Sequence, residues 1–470
     1  MLIDDWRTSS RPTVAIVGAG ASGMLVAAHL LRAASAHRAP VRVVLIERNT
    51  RSGGVAYSTS DPHHRLNVTA ARMSALPDSS EDFVRWRARE IGDSDAGAYA
   101  GRWEYRRYLE DVLATAQRDA ATDIGLARVV AGVARLDLLS TRLRLRFEDG
   151  GSLDADSAVL ALGNPPPLPP AGCGEVRDHP AYVNDPWAPG ALEGLRLDAG
   201  ARVVLIGTGL TMVDVAITLA TRHPHTRLLA VSRGGLLPRA HVPGRIAPYF
   251  GDVTFDPDAS LLERVDAILA DSAAGGRNWH QRVDELRPRT QTLWKRLSLE
   301  ERAHFLATRH RAWCVRRHRM PPQVAATLAQ LIGYGSLEVQ GGYVELCAAG
   351  AGALEAHVSG HTRLTAALAI NCTGPGLDPR ANSDHLVQQL LAEGHVRAHP
   401  LGVGFDTADD GAFRLRNGRP SQRLFTLGPP RIGELYETTA IPEIRDQAQM
   451  LAGTLTKRLA ASTVAAAQTA

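Results

Sequence analysis

Along the chain, short runs of consecutive apolar residues alternate with longer segments in which apolar positions return every three or four residues. The runs at 13–17, 41–46, 158–162, 201–206, 228–231, 364–370 and 424–427 are rich in Val, Ile and Leu. Such runs predict strands buried on both faces, the signature of a parallel sheet. The periodic segments at 24–31, 83–89, 105–117, 213–220, 261–269 and 443–459 predict helices, each with one apolar face. Runs at 127–136 and 142–147, with Asp149-Gly150-Gly151 as a turn, predict a small antiparallel layer. The stretches 336–346 and 354–358 predict a further pair of strands.

Two strand–helix junctions carry the chemistry. The first is Gly18-Ala19-Gly20-Ala21-Ser22-Gly23, between the strand at 13–17 and the helix at 24–31. This G-x-G-x-x-G spacing lets a pyrophosphate approach the backbone of the turn and the unpaired N–H groups of the helix start. The strand at 41–46 ends on Glu47, about 20 residues beyond the last glycine, where a carboxylate grips a ribose hydroxyl pair. Glu47 repels a 2′-phosphate, so the first site suits FAD or NAD and disfavours NADP.

The second junction is a near-repeat. After the strand at 201–206 come Gly207-Thr208-Gly209-Leu210-Thr211, with Met212 in place of a third glycine. That substitution predicts looser packing of helix on strand, and Asp214 is expected to hold a turn. The following strand ends on Ser232-Arg233, with no acid. A guanidinium there suits a 2′-phosphate, so the second site is expected to take NADPH. Two such units predict an α/β fold with two Rossmann-like dinucleotide-binding domains. Opposite charge preferences predict electron transfer from NADPH in the second domain to FAD in the first.

The length of 470 residues requires more than one core. Pro165-Pro166-Pro167 marks the first boundary. The expected division is 1–165 for the first part of the FAD domain and 166–364 for the NADPH domain, with a helical insertion over about 255–333. Residues 365–459 return to the FAD domain, and 460–470 form a tail. At 44% apolar and 22% charged residues the composition is that of a globular protein, and the net charge of +4 gives no sign of nucleic-acid binding. No apolar run is long enough to span a membrane and the start does not read as a signal peptide. Cys173, Cys314, Cys347 and Cys372 stand singly, which excludes a C-x-x-C redox pair and a zinc site and fits a reducing cytoplasm.

Other positions are read more plainly. The segment 51–74 is expected to close over the ligand, with His63 and His64 in a surface turn. From Arg277 to Arg319 there are twelve Lys/Arg against four Asp/Glu, interleaved with Trp279, Trp294, Phe305 and Trp313. Most of this is expected to be a solvated face. Arg316-Arg317-His318-Arg319 is its best candidate for a contact with an anionic substrate or with NADPH phosphates. His241 is a candidate to face the nicotinamide, and Cys372 is expected to be a small core residue.

The order Gly18–Gly23, Glu47, Leu160-Ala161-Leu162-Gly163, with Asn67-Val68-Thr69-Ala70 between, resembles the FAD/NAD(P)-binding flavoproteins related to N-hydroxylating and Baeyer–Villiger monooxygenases. The resemblance implies further cofactor contacts at Arg48, Gly54, Tyr57, Asn67, Val133, Gly163, Gly374, Gly428, Thr438, Thr439 and Ile441. It also implies a monooxygenase that acts through a peroxyflavin on a small-molecule substrate. The Baeyer–Villiger signature F-x-G-x-x-x-H-x-x-x-W/P is absent from the segment containing His179, Tyr182, Asp185 and Trp187, which favours N-hydroxylation of an amine or amino acid. An NADPH dehydrogenase without oxygen insertion and a non-catalytic dinucleotide-binding protein stay open as alternatives.

Overall fold

The computed structural model describes residues 11–469 apart from Arg51, 244–255, Pro257, Arg277, Ala351 and 360–362, with side chains described as far as 460. The chain start, the loop part 244–250 and the side chains of the tail therefore lie outside the described residues.

The strands are β1 (Thr13–Val17), β2 (Val41–Glu47), β3 (Ile124–Val130), β4 (Val133–Leu138), β5 (Leu143–Phe147), β6 (Ser152–Ala155), β7 (Ser157–Leu160), β8 (Tyr182–Val183), β9 (Arg202–Ile206) and β10 (Arg227–Ser232). They continue with β11 (Leu337–Gly341), β12 (Val344–Ala348), β13 (Leu354–Val358), β14 (Arg363–Ala366), β15 (Leu368–Asn371), β16 (Ala412–Arg414) and β17 (Pro420–Thr426). The helices before the insertion are α1 (Ala21–His37), α2 (Gly54–Tyr57), α3 (Asp82–Glu90), α4 (Arg102–Arg118) and α5 (Leu210–Arg222). The insertion holds α6 (Leu261–Ala273), α7 (Trp279–Leu286), α8 (Thr290–Arg296), α9 (Leu299–Thr308), α10 (His310–Arg317) and α11 (Pro322–Gly333). After it come α12 (His385–Glu393), α13 (Ile432–Leu435) and α14 (Ile441–Thr469).

Two main sheets result. The first runs β16-β17-β7-β1-β2-β3, and the second β11-β10-β9-β15-β8. Every pairing in them is parallel except β16 with β17. Because the strands are parallel and in register, Val17 lies beside Ile46 and Leu160, so the turns after β1, β2 and β7 open on one edge. In the second sheet Ile206 lies beside Val231 and Asn371, which brings the turns after β9, β10 and β15 together in the same way. Ligands of open parallel sheets bind at such carboxyl edges.

The cores follow from the burial of these strands. Helices α1, α3, α4 and α14 cover one face of the first sheet, and α12 with the small β4-β5-β6 sheet lies on the other. Helices α5 and α11 cover the second sheet, whose other face meets the small β12-β13-β14 sheet. Trp279, Trp294, Phe305 and Trp313 form a separate core of the insertion that also holds Tyr436. The insertion is thereby seated on the segment that leads into α14.

Several expectations about the elements need correction. The run 127–136 divides at Ala131-Gly132: β3 joins the first main sheet beside β2, and only β4 belongs to the small antiparallel layer. Likewise 336–346 divides at Gly341-Gly342, with β11 in the second main sheet and β12 paired with β13. The chain leaves the second sheet only after Asn371 rather than at 365, because β15 pairs with both β9 and β8. Helix α14 continues to Thr469, through the segment expected to be a tail. Met212 is fully buried and packs within the core between α5 and the second sheet.

Candidate functional site

At the first junction each glycine has a geometric reason. Gly18 has φ +103°, and a Cβ there would stand 2.5 Å from the Ala161 carbonyl oxygen. A Cβ on Gly23 would overlap the Gly18 carbonyl, so α1 can lie against the turn only without one. Gly20 bridges to Gly53, whose N–H donates to the Ala19 carbonyl at 3.1 Å. The 51–74 segment thus starts directly against the phosphate turn. Helix α1 begins with no side-chain cap, so the N–H groups of Ala21, Ser22 and Gly23 face the turn unclaimed by any cap.

Glu47 Oε2 accepts from the Ala19 N–H at 2.8 Å, and Oε1 meets the Asn49 N–H only at 3.4 Å. One carboxylate oxygen is fixed to the turn while the other is nearly free for a hydroxyl. A cavity of about 480 Å3 opens at the same edge, and Arg48, Val133 and Gly163 all line it. Arg48, half exposed, reaches Glu148 at 3.2 Å and Asp384 at 3.4 Å across its mouth. A Cβ on Gly163 would meet nothing within 4 Å, so the backbone there leaves open space.

A polar seam joins the two sheets. His64, expected at the surface, is buried: Thr59 Oγ1 is 2.8 Å from Nδ1 and Thr218 Oγ1 is 3.0 Å from Nε2. Thr218 in turn donates to Asp61 at 2.8 Å, and burial lowers the His64 pKa. Only His63 of the pair is exposed. Asp214 accepts from Arg102 Nη2, so it clamps α5 to the start of α4.

At the second junction Gly207 (φ +110°) approaches the Cys372 carbonyl as Gly18 approaches Ala161. A Cβ on Gly209 would meet nothing within 4 Å, and α5 starts at Leu210 and Thr211 without a side-chain cap. The Ser232 hydroxyl is 2.7 Å from Thr208 Oγ1, so it ties β10 to the turn. Arg233 is exposed, and among the described residues no hydrogen bond or ion pair engages it. Arg311 of α10 lies beside it; burial and the Arg233 charge together lower its pKa. Arg311 Nη2 is 3.8 Å from where a Gly234 side chain would begin. Adjacency of Arg311 to Arg233 is a tertiary fact with no sequence signal other than the basic character of the insertion.

The remaining predicted positions fall between the two edges. The Asn67 carbonyl accepts from His241 Nε2 at 3.0 Å, and the Tyr57 ring lies 5.0 Å from that of Tyr105. His241 is buried rather than open, and burial and the Arg319 charge push its pKa down to about 3, so it is neutral. Gly428 (φ +71°) sits against Ser22, which places the turn after β17 at the start of α1. Thr438 is fully buried and its hydroxyl is used internally, donating to the Gly428 carbonyl at 3.1 Å and accepting from Gln447 at 2.7 Å. Thr439 is exposed beside Ile441 at the start of α14. Gly374 (φ +87°) follows β15 on the second edge. Cys372 is buried, in keeping with a core role.

Residues 15–165 match the sequence profile of a family described as FAD-NAD(P)-binding. These residues are an FAD/NAD(P)-binding domain. None of the curated protein sequences matches the chain. Among solved structures, ornithine hydroxylase PvdA from Pseudomonas aeruginosa aligns over 96% of this chain and 99% of its own, with a TM-score of 0.64 and 16% identity. The ornithine N-hydroxylase KtzI of Kutzneria sp. 744, in complex with reduced FAD, NADP+ and L-ornithine, aligns over 95% and 99%, with 0.61 and 13%. L-lysine 6-monooxygenase from Pseudomonas syringae aligns over 95% and 98%, with 0.61 and 13%. At such identities the likeness establishes the fold alone: two parallel-sheet units joined as in those structures. FAD fits the domain at 15–165, since the glycine cradle, the uncapped helix start and the half-free Glu47 carboxylate match a pyrophosphate and a ribose. No helix of the described residues is long and apolar enough to cross a membrane, and they contain no cluster of metal-ligating side chains.

Proposed function

We propose that the chain is an FAD-dependent, NADPH-using monooxygenase that hydroxylates the nitrogen of a small amine or amino acid. The observation that carries the reading is the pairing of two phosphate turns of opposite charge preference, Glu47 at one and Arg233 with Arg311 at the other, in one fold. A fold shared along nearly the whole chain with three amino-acid N-hydroxylases supports it. The net reaction is R–NH2 + O2 + NADPH + H+ giving R–NHOH + H2O + NADP+.

In this reading the N–H groups of Ala21, Ser22 and Gly23 hold the FAD pyrophosphate, and Glu47 accepts from the ribose hydroxyls. The cavity lined by Arg48, Val133 and Gly163 receives the adenosine end. The N–H groups of Leu210 and Thr211 hold the NADPH pyrophosphate, while Arg233 and Arg311 neutralise the 2′-phosphate. A flavin bound there would supply the redox chemistry, a hydride acceptor for NADPH and an electron donor to dioxygen. The buried, neutral His241 keeps the Asn67 backbone in place, and α14 presents its start at the same edge. The four free cysteines agree with a reducing compartment, the cytoplasm.

The test is to supply purified protein with NADPH, oxygen-18 dioxygen and a panel of amines and amino acids. A labelled hydroxylamine formed with NADPH consumption supports the reading. NADPH consumption with electrons delivered only to added acceptors, and no label in any product, points instead to a dehydrogenase.

A further inference from the structure

Beneath the insertion, beside the segment that leads into α14, lies a buried group of charges that the dinucleotide sites do not use. Arg287 makes a two-pronged contact with Glu443, at 2.9 and 3.0 Å. Arg317 lies 2.9 Å from Glu437, which also accepts from the Trp313 indole at 3.1 Å. Arg319 donates to Asp284 and, at 3.2 Å, to His280 Nδ1. Each carboxylate of this group already has its guanidinium. A fourth guanidinium, Arg72, is half-buried within electrostatic reach of Arg287, Glu443 and Asp284. Among the described residues no hydrogen bond or ion pair engages it.

His241 and His318 add no charge, because burial and the neighbouring arginines push them down to about 3 and about 4. Arg445, also near Arg72, is paired with Asp446 at 2.8 Å. Among the described residues the group therefore carries one cation more than it has anions to match. It also holds buried donors without acceptors: Arg317 Nε, Arg319 Nε and the Tyr99 hydroxyl. The Tyr99 ring lies 5.3 Å from that of His241, whose own N–H is spent on the Asn67 carbonyl. Buried donors are nearly always satisfied in folded proteins, so unfilled ones beside an unpaired cation mark a place for an anion.

That place is flanked by Asn67 on one side and by Glu437 and Glu443, around the start of α14, on the other. We propose that it binds the substrate, and that the substrate is an amine carrying a carboxylate and no second cationic group, with the acidic amino acids held most tightly. Arg72, Arg317, Arg319 and Tyr99 receive the carboxylate. The inference rests on the monooxygenase reading for the reaction, but the charge preference it asserts is a matter of binding alone. A diamine or a basic amino acid would bring a further cation into a group already in positive excess.

The experiment is calorimetric titration of the FAD-loaded chain with L-aspartate, L-glutamate, L-ornithine, L-lysine and cadaverine. The expected result is saturable binding of the acidic amino acids and binding of the cationic probes weaker by tenfold or more. Arg72→Ala should weaken the acidic amino acids by about tenfold, the scale of a lost charge-assisted hydrogen bond, with flavin content unchanged as evidence of folding. Tighter binding of ornithine, lysine or cadaverine, or equal binding by wild type and Arg72→Ala, overturns the proposal. If Arg72→Ala does not fold, the wild-type preference decides by itself. Titration needs no turnover, so acidic preference without a hydroxylated product would refute the monooxygenase reading and leave the anion site standing.

Discussion

Gly18→Ala isolates the claim that the first turn is shaped by backbone contact. Gly18 has φ +103°, where an L side chain is strained, and the added Cβ would lie 2.5 Å from the Ala161 carbonyl oxygen against an ordinary 3.4 Å or more. The strain of a left-handed residue is about 1–2 kcal/mol, and overpacking against backbone adds about 1–3 kcal/mol. The neighbour is a main-chain atom at the end of β7 and cannot rotate away, so β1 and β7 must part at their carboxyl ends. The expected cost is about 2–5 kcal/mol, a melting temperature lowered by roughly 2–5 °C for a chain of this length, and loss of most bound flavin. The control is Gly209→Ala in the second turn, where φ is −80° and nothing lies within 4 Å. That variant should keep wild-type stability and flavin while binding NADPH more weakly, because the methyl stands where the pyrophosphate must approach. Flavin content and melting curves check both. A Gly18→Ala protein with full flavin and an unchanged melting temperature would refute the reasoning.

Other expectations follow from the same geometry. Arg233→Ala and Arg311→Ala should each raise the KM for NADPH by roughly one to two powers of ten and leave NADH unaffected; steady-state kinetics with both cofactors would expose an equal effect, which contradicts the 2′-phosphate assignment. Glu47→Ala should weaken FAD retention, measured by ultrafiltration of the yellow protein, and also release the Ala19 N–H. Burial pushes His29 and His318 down to about 4 and His241 to about 3, so each takes up a proton on unfolding. Stability is therefore full above the unfolded-state value of about 6.5 and falls as the pH drops toward 4. Each histidine adds up to about 1.4 kcal/mol per pH unit, and urea midpoints at pH 7.5 and pH 5 should differ accordingly; equal midpoints would contradict the buried neutral state.

The turns were legible because their requirements are local. A strand, a glycine where φ is positive and a helix start are all encoded within a dozen residues, and Glu47 follows at a spacing set by one helix. The divisions at Ala131-Gly132 and Gly341-Gly342 were less so, because an apolar run does not say which sheet each half will join; strand pairing decides. His64 looked like part of a turn after Asp61-Pro62, yet Thr218 of α5, which also donates to Asp61, meets it in the interior. The basic stretch from 277 to 319 looked like a solvated face. Much of it is instead consumed by partners far along the chain, Arg287 by Glu443 and Arg317 by Glu437. Arg72 beside that cluster and Arg311 beside Arg233 meet only through packing of the insertion, and no spacing in the sequence announces either.

In the proposed reaction, electrons from NADPH reach dioxygen through a bound flavin and leave an oxygen atom on a substrate nitrogen. Its most direct measurement reduces the FAD-loaded protein with NADPH without air and mixes it rapidly with oxygenated buffer, with and without the amine panel, following the flavin spectrum and the hydroxylamine formed. Reoxidation in two spectrally distinct phases, with hydroxylamine appearing in step for at least one amine, is the predicted result. Single-phase reoxidation with every amine, and all electrons recovered as hydrogen peroxide, would contradict it.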